Sequence, residues 1–375
     1  MSSISRVALL WVAFLVVAVK PLDRAREPGT ISRVATLHTP RAAHTATMLS
    51  SGDVLFVGGM ADGGGSLSSV ERFDPADNSI HEVGHLANSR VGHTATLLSD
   101  GRVLVAGGYN GDYLASLEVF DPSTNRFRPA GSLVEARSGH TATLLPDGRI
   151  LFAGGVGDGW TFLRTAEVFD PRTGRSRLVG SMTVPRESHT ATLLQDGRVL
   201  IVGGHSGRRQ AMMVYSTTEI FSPQRGGFQP TGSLATARHK HDAVQLTDGR
   251  VLVIGGADRT DRVYFATTEV YSPQTGAFEA GPSMASRRYK IAGTSVRLGD
   301  GSVLVTSGAE VPELLDTAER RFLKVQGRLA AALRFAAAVP VANGDVVIAG
   351  GYDDANHNHS GVWRYAFRRV PPGDR

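Results

Sequence analysis

One residue type recurs along this chain at a spacing that would place positive charge in a ring. An arginine stands three residues before a histidine in five places, and two more arginines occupy similar places later in the chain. The seven residues are Arg41, Arg90, Arg137, Arg186, Arg238, Arg288 and Arg334. Guanidinium groups hold carboxylates through paired hydrogen bonds, so such a ring predicts a site for an acidic ligand. The alternative is structural, with each arginine paired to a carboxylate of its own repeat.

Histidines supply a second recurring pattern and one local cluster. The recurring residues are His44, His93, His140, His189 and His241. Because they are spread along the chain, they cannot all converge on one metal ion, and we expect them to form structural hydrogen bonds. His357 and His359 form a His-x-His pair after two aspartates, which is a weak candidate for a zinc or copper site. A polar loop without metal is the alternative, and we expect no cofactor.

Other candidate side chains occur in one repeat only. Trp160, His205, Arg208 and Tyr264 lie in segments of variable length that follow glycine pairs. Aromatic and charged residues in loops on a rigid scaffold predict a recognition surface, although ordinary solvated loops can have the same composition.

Composition excludes several function classes. The chain has 375 residues and no cysteine, which excludes disulfide scaffolds, thiolate metal sites and cysteine nucleophiles. Forty Lys and Arg residues against 35 Asp and Glu give a net charge of +5, and the basic residues are scattered, so we expect no nucleic-acid partner. Gly-x-Ser-x-Gly does not occur.

The elements that position these residues follow from a repeat marked by glycine. A Gly-Gly pair, or a degenerate form of it, ends at residues 59, 108, 155, 204, 256, 308 and 351. Before each pair, two apolar runs flank an Asp-Gly or similar dipeptide, which predicts a hairpin with a type I′ turn and positive φ at both central residues. A third strand then closes on Asp-Pro or Ser-Pro in five repeats, and a fourth strand follows. Four short strands per repeat, with no helical stretch, predict an all-β propeller with seven blades of four antiparallel strands.

The repeat also resembles a known family. The Gly-Gly pair, a third-strand aromatic such as Phe120 and an apolar residue seven positions later, here Phe127, resemble kelch repeats. The variant DGR[VI]LV-x-GG resembles bacterial kelch proteins. The resemblance implies that the first strand of each blade is innermost and that the loops around the arginines open at the mouth of a central channel. One departure is systematic, because the usual kelch tryptophan is replaced by Phe or Ile in several repeats and by Ser176 in the third.

The two ends of the chain predict how the ring closes. Residues 31–37 match a fourth strand that lacks its first three, whereas the last repeat has three strands and no fourth. We therefore expect the N-terminal strand to complete the last blade and remove two open sheet edges.

The N-terminal segment predicts location. Residues 7–19 are thirteen residues without a charge, which suits a signal peptide better than a membrane-spanning helix, although an uncleaved anchor is the alternative. The predicted organisation is a signal peptide or anchor at 1–19, a linker at 20–29, the propeller at 30–370 and a tail at 371–375. We expect an extracytoplasmic monomer that meets the membrane only through this segment.

Two functions are consistent with these features. The first is a non-catalytic binding module for a protein or carbohydrate, through the inter-blade loops and the loops that follow Gly-Gly. The second is a carbohydrate-active enzyme at the channel mouth, for which the resemblance implies the sialic-acid mutarotase type. Galactose-oxidase-like copper enzymes need a tyrosine cross-linked to cysteine, and this chain has no cysteine.

Overall fold

The computed structural model describes residues 27–367, which form a ring of seven four-stranded antiparallel sheets. The predicted seven-bladed β-propeller is confirmed. Of the predicted segments, 1–19 and 371–375 lie outside the described residues, and 20–29 and 30–370 lie only partly within them.

Each blade takes its four strands from one continuous segment of the chain, except the last, whose fourth strand comes from the N-terminal part of the described chain. The first strands are β2 Thr45–Met48, β6 Thr94–Leu97, β10 Thr141–Leu144, β16 Thr190–Leu193, β22 Asp242–Gln245, β26 Ser295–Arg297 and β30 Ala337–Pro340. The second strands are β3 Val54–Val57, β7 Val103–Ala106, β11 Ile150–Ala153, β17 Val199–Val202, β23 Val251–Ile254, β27 Val303–Val305 and β31 Val346–Ala349. The third strands are β4 Ser69–Phe73, β8 Ser116–Asp121, β14 Thr165–Asp170, β20 Thr218–Ser222, β24 Thr268–Ser272, β28 Glu313–Asp316 and β32 Gly361–Ala366. The fourth strands are β5 Ile80–His85, β9 Arg126–Ser132, β15 Arg175–Ser181, β21 Gly227–Pro230, β25 Ala277–Ala280, β29 Arg321–Lys324 and β1 Thr30–Thr36.

Short elements decorate the loops that follow the glycine pairs. Two small hairpins are formed by β12 Val156–Gly157 with β13 Thr161–Phe162, and by β18 His205–Ser206 with β19 Met213–Val214. Single 3-10 turns span Asp62–Gly64, Asp158–Trp160 and Arg209–Ala211. No helix within residues 27–367 is long and apolar enough to cross a membrane.

The core lies between the blades. The second strands are buried along their whole length because they have a strand on each side and a neighbouring blade against each face. In one such interface, Leu55 and Val57 of the first blade pack with Val103 and Val105 of the second. Consecutive first strands also contact each other around the axis, which places them innermost. Each blade is therefore stabilised mainly by its two neighbours.

The hairpin turns differ from the predicted type. In the second blade Leu98 N donates to the carbonyl of Arg102 at 2.8 Å, and Gly101 N donates to the carbonyl of Leu98 at 3.0 Å. Gly101 has φ +84°, whereas Asp100 is not among the residues with positive φ. This is a three-residue loop with a type I turn and a glycine bulge, so the type I′ prediction is wrong. Arg102 donates to the Asp100 carboxylate at 2.6 and 2.9 Å, which favours the aspartate at a position where φ stays negative.

The N-terminal strand closes the ring as predicted. β1 pairs antiparallel with β32, from Thr30 opposite Ala366 to Thr36 opposite Gly361. Ile31 N also donates to the carbonyl of Gln326 at 2.8 Å, which links the strand to the preceding blade. Both ends of the described chain therefore meet in one sheet.

Candidate ligand-binding site at the channel mouth

Six of the seven recurring arginines are buried in ion pairs. Each has no exposed surface and contacts the third-strand glutamate of the blade that follows it in the chain, at 2.5–2.9 Å. The pairs are Arg41–Glu71, Arg90–Glu118, Arg137–Glu167, Arg186–Glu219, Arg238–Glu269 and Arg288–Glu313. The prediction that these six guanidiniums line the mouth is therefore corrected, and the structural alternative describes them.

The second blade shows what such a pair holds together. Arg90 donates to the carbonyls of Gly107 at 2.8 Å and Ser116 at 3.1 Å, as well as to Glu118. Glu118 also accepts from the backbone N–H of Ala87 at 2.8 Å. Burial lowers the pKa of Arg90, and the nearby Glu118 carboxylate opposes that effect. The pair therefore ties the glycine-pair loop, the third strand and the inter-blade loop into one unit.

The seventh arginine occupies a different register. Phe335 has φ +48°, matching Ala43 at +49°, so the position equivalent to Arg41 is Leu333 and not Arg334. Trp363 pairs with the second strand where the other blades have glutamate, and Leu333 and Trp363 belong to one apolar cluster. The last blade has thus replaced both members of the ion pair. Arg334 instead pairs with Asp354 near the surface.

Four of the five recurring histidines, all except His44, link neighbouring blades. Their ring Nε2 atoms lie 3.1–3.3 Å from a threonine hydroxyl of the preceding blade, in the pairs His93–Thr45, His140–Thr94, His189–Thr141 and His241–Thr190. Burial lowers the pKa of His93 and His189 to about 3, so both rings are neutral. Their structural assignment agrees with the expectation.

A ring of seven loop apices surrounds the mouth. Two residues after each buried arginine, or its equivalent, the backbone turns to positive φ between +48° and +65°. The apices are Ala43, Gly92, Gly139, Ser188, Lys240, Lys290 and Phe335. Backbone hydrogen bonds join several of them, for example Lys290 N to the carbonyl of Lys240 at 2.8 Å. Four consecutive blades contribute small apices and three contribute large ones, so the ring is asymmetric in side chains although symmetric in backbone.

A cavity of about 470 Å³ opens over the small apices. Its wall carries an aromatic cluster in which the ring centroids of Tyr109, Tyr113 and Trp160 are 5.0–6.1 Å apart. The Arg208 guanidinium lies 4.1 Å from the centre of the Trp160 ring, and Trp160 is 53% exposed. This is a flat aromatic surface with a cation on it, open to solvent.

A second cavity of about 420 Å³ adjoins the first on the side of the large apices. The two share Glu187, Ser188, Arg208 and Phe335, so they form one bipartite site. The second cavity is lined by three cations, Arg208, Arg209 and Lys240, and by Asp261 and His205. Lys240 Nζ lies 2.5 Å from Asp261 Oδ2. We call the first part the aromatic half and the second part the cationic half.

A chain of titratable groups runs behind the cationic half. His239 Nε2 lies 3.1 Å from the carbonyl of Asp258 and 3.1 Å from Asp261 Oδ1, and its Nδ1 lies 3.2 Å from Nδ1 of His205. His205 Nε2 in turn lies 3.5 Å from Glu187 Oε2. Burial raises the pKa of Glu187, whereas burial and the nearby His239 lower the pKa of His205 to about 3.

Comparison with known proteins fits this geometry. A family model of the kelch motif matches residues 90–133 and 243–285, which are the second blade and most of the fifth. The protein is a kelch-repeat β-propeller. A search of curated proteins gave no match. Among solved structures this kelch propeller is similar to one titled "Novel fungal alcohol oxidase with catalytic diversity among the AA5 family, in complex with copper", with 16% identity, a TM-score of 0.70, and coverage of 91% of this chain and 76% of that chain. At that identity the likeness shows the fold alone.

The remaining predicted residues of this kelch propeller lie in two places. Trp160, His205 and Arg208 line the bipartite site. Tyr264 stacks on Tyr289, with ring centroids 3.8 Å apart, beside Arg334 and away from the aromatic cluster.

The His-x-His pair lies in the loop of the last blade. His359 Nε2 contacts Asp353 Oδ2 at 3.2 Å, and the backbone N–H of His357 donates to Oδ1 of the same carboxylate. Within residues 27–367 no group of three or more His, Cys, Asp or Glu side chains is placed to hold a metal ion.

Several residues of the site were missed from the sequence. They are Glu187, His239, Lys240, Lys290, Tyr109 and Tyr113. The available signal was positional, because the two residues after each recurring arginine differ from blade to blade while the arginine does not. A search for residues that occur in one repeat only, applied to those two positions, would have found Glu187 and His239.

Proposed function

We propose that this kelch propeller is a binding module whose ligand is a carbohydrate that carries a carboxylate. The kelch architecture itself suggests a binding or interaction module. The aromatic cluster over a solvent-open cavity carries the proposal. Sugar rings present C–H faces that pack on indole and phenol rings, and Trp160 offers such a face at the mouth.

The adjoining cationic half supports an acidic substituent on that sugar. Arg208 and Lys240 are placed to bind a carboxylate while the sugar ring lies on Trp160, since Arg208 borders both halves of the site. A glycan fits this arrangement better than a protein partner, because the site is a concave cavity with its polar groups on one side.

Calorimetric titration with uronic-acid oligosaccharides tests the proposal. Trp160→Ala should weaken binding by about tenfold or more, because it removes both the stacking face and the partner of Arg208. Leu178→Ala is the matched control, since Leu178 is similarly exposed, at 47%, on the fourth strand β15. Equal affinities of the two variants would refute binding at the aromatic half.

An enzyme of the mutarotase type is the second candidate. The six buried arginines do not support it, because their guanidiniums are occupied by ion pairs. Glu187 does support it, because a cavity glutamate in contact with buried histidines can exchange protons with a sugar. NMR of a reducing acidic sugar would test it. Faster interconversion of the anomers, lost in Glu187→Gln, would favour the enzyme over the binding module.

We also propose that the protein acts outside the cytoplasm. The support is the uncharged segment at residues 7–19, which precedes the described residues. Cell fractionation with N-terminal sequencing of the mature chain tests this, and a cytoplasmic protein with an intact N-terminus would refute it.

A further inference from the structure

The contacts of His239, His205 and Glu187, behind the cationic half, determine where their protons lie. His239 Nε2 faces the Asp258 carbonyl, which only accepts, so Nε2 carries a hydrogen. In a neutral His239 the other nitrogen, Nδ1, is then an acceptor, and His205 Nδ1 must donate to it across 3.2 Å. His205 Nε2 is left without a hydrogen, facing Glu187 Oε2 at 3.5 Å. Two acceptors then face each other unless Glu187 carries the proton.

Two other arrangements have the same number of protons. If His205 is an imidazolium, its Nε2 can donate to an ionised Glu187, but burial and the nearby His239 lower the pKa of His205 to about 3, which disfavours this form. If His239 is an imidazolium instead, its Nδ1 donates to His205, whose Nε2 can then donate to an ionised Glu187. That arrangement gives the single carboxylate of Asp261 two cations, because Lys240 Nζ lies 2.5 Å from its Oδ2 and His239 Nε2 lies 3.1 Å from its Oδ1. His239 has no exposed surface, so burying an additional charge there is unfavourable. The neutral histidine with a protonated glutamate is favoured.

Glu187 is also placed where its charge matters to a ligand. It borders both halves of the site, and its side chain is 23% exposed. A Cβ at Gly139 would lie 2.9 Å from Glu187 Oε1, so the carboxyl group leans over a small apex that leaves room for it. The groups that face it are His205, Arg208 at 3.9 Å, and more distantly Lys240 and Tyr113.

We propose that Glu187 enters the cavity as a carboxylic acid whose proton is donated to His205, and that this neutral form is the specificity determinant for a carboxylate-bearing sugar. Because the acid is neutral, Arg208 and Lys240 can bind the ligand carboxylate, and Glu187 adds no second negative charge next to that carboxylate. Once ionised, Glu187 repels that carboxylate and takes Arg208 as its own partner. This inference rests on the proposed function and names the group that selects acidic over neutral sugars.

Burial raises the pKa of Glu187, so the neutral form is present below that raised value and is lost as the pH rises through it. Affinity for an acidic sugar should fall with rising pH, whereas affinity for a neutral sugar of the same shape should not change.

The test compares trigalacturonic acid with galactotriose, its carboxyl-reduced counterpart, by calorimetry at about pH 5 and about pH 8. The wild-type preference for the acid should fall by about tenfold or more at the higher pH, because two carboxylates in one cavity repel. Glu187→Gln keeps the shape and stays neutral, so it should retain the preference at both pH values. Glu82→Gln, at a carboxylate that is 47% exposed on β5, is the matched control and should behave as wild type.

The outcomes separate the two proposals. A pH-dependent preference that persists in Glu187→Gln overturns the role of Glu187. Equal binding of both sugars that is still weakened by Trp160→Ala overturns the inference and leaves the binding module intact. Binding of neither sugar overturns the proposed function, and the inference with it.

A second measurement does not depend on any variant. Long-range ¹H–¹⁵N spectra report which ring nitrogen of each histidine carries hydrogen. A neutral His205 with hydrogen on Nδ1 and a bare Nε2 supports the assignment. Hydrogen on Nε2 of His205 overturns it.

Discussion

Removing one member of a buried Arg–Glu pair should destabilise the protein strongly, and removing both members should cost less than the sum of the two single effects. Arg90→Leu leaves Glu118 buried without its cation and leaves the carbonyls of Gly107 and Ser116 without the donor that reaches them at 2.8 and 3.1 Å. Removing one partner of a buried ion pair typically costs about 3–5 kcal/mol. The last blade shows that the alternative is viable, because Leu333 and Trp363 fill the same two positions with apolar side chains.

The double variant Arg90→Leu/Glu118→Leu is therefore the informative one. It should be more stable, by at least about 1 kcal/mol, than the sum of the two single effects predicts, because neither charge is left unpaired. Urea unfolding followed by tryptophan fluorescence gives the free energies, and calorimetry checks the ranking. A strictly additive double variant, or a loss below about 1 kcal/mol in Arg90→Leu, would refute the reasoning.

Three further predictions follow from the fold. Neither ring nitrogen of His44 has a hydrogen-bond partner within residues 27–367, since Ala337 stands where the first four blades have threonine. Ala337→Thr should therefore stabilise the protein by about 1 kcal/mol, seen as a higher Tm. An unchanged Tm would contradict this. The pKa of His93 and of His189 is about 3 in the folded state, below the value of about 6.5 for the unfolded chain. The free energy of unfolding should therefore fall as the pH drops from about 6.5 towards 3. An unfolding midpoint that does not change with pH across that range would contradict this prediction. Deleting the residues of β1 should sharply lower the Tm because β32 becomes an open edge, and a deletion variant that melts like wild type would exclude this role for the strand.

The blades were predictable because the same local pattern occurs in every repeat, and agreement among repeats compensates for the weakness of each strand signal. The turn type was not, since Asp-Gly suits both a type I′ turn and a type I turn with a glycine bulge. Arg102 does not decide between them, because the same turn forms where Asp53 or Ser302 stands after the glycine. The loop length decides, since Ser99 lies in the loop with Asp100 and Gly101 between the paired Leu98 and Arg102, and the Asp-Gly signal does not specify that length.

The candidate site was predicted only in part for a related reason. Periodicity identified the arginines but not whether a guanidinium points into the channel or into its own blade, which depends on the third-strand glutamate across the sheet. Trp160 and Arg208 were found because each is unique to one repeat. Glu187 was missed because it directly follows Arg186, and the recurrence of the arginine hid the variation next to it.

The apolar residues that replace the ion pair in the last blade affect how easily the ring opens where its two ends meet. β1 and β32 join residues 336 positions apart, so this seam is made by the two ends of the described chain and is the most non-local sheet contact in the fold. A buried ion pair at such a seam would strand a desolvated charge each time the strands separated. When Leu333 and Trp363 separate, they expose only hydrocarbon and an indole ring. They can pack together again without restoring the hydrogen-bond geometry that an ion pair requires. The ring is therefore closed at the blade whose strands can separate and pair again without leaving a buried charge unpaired.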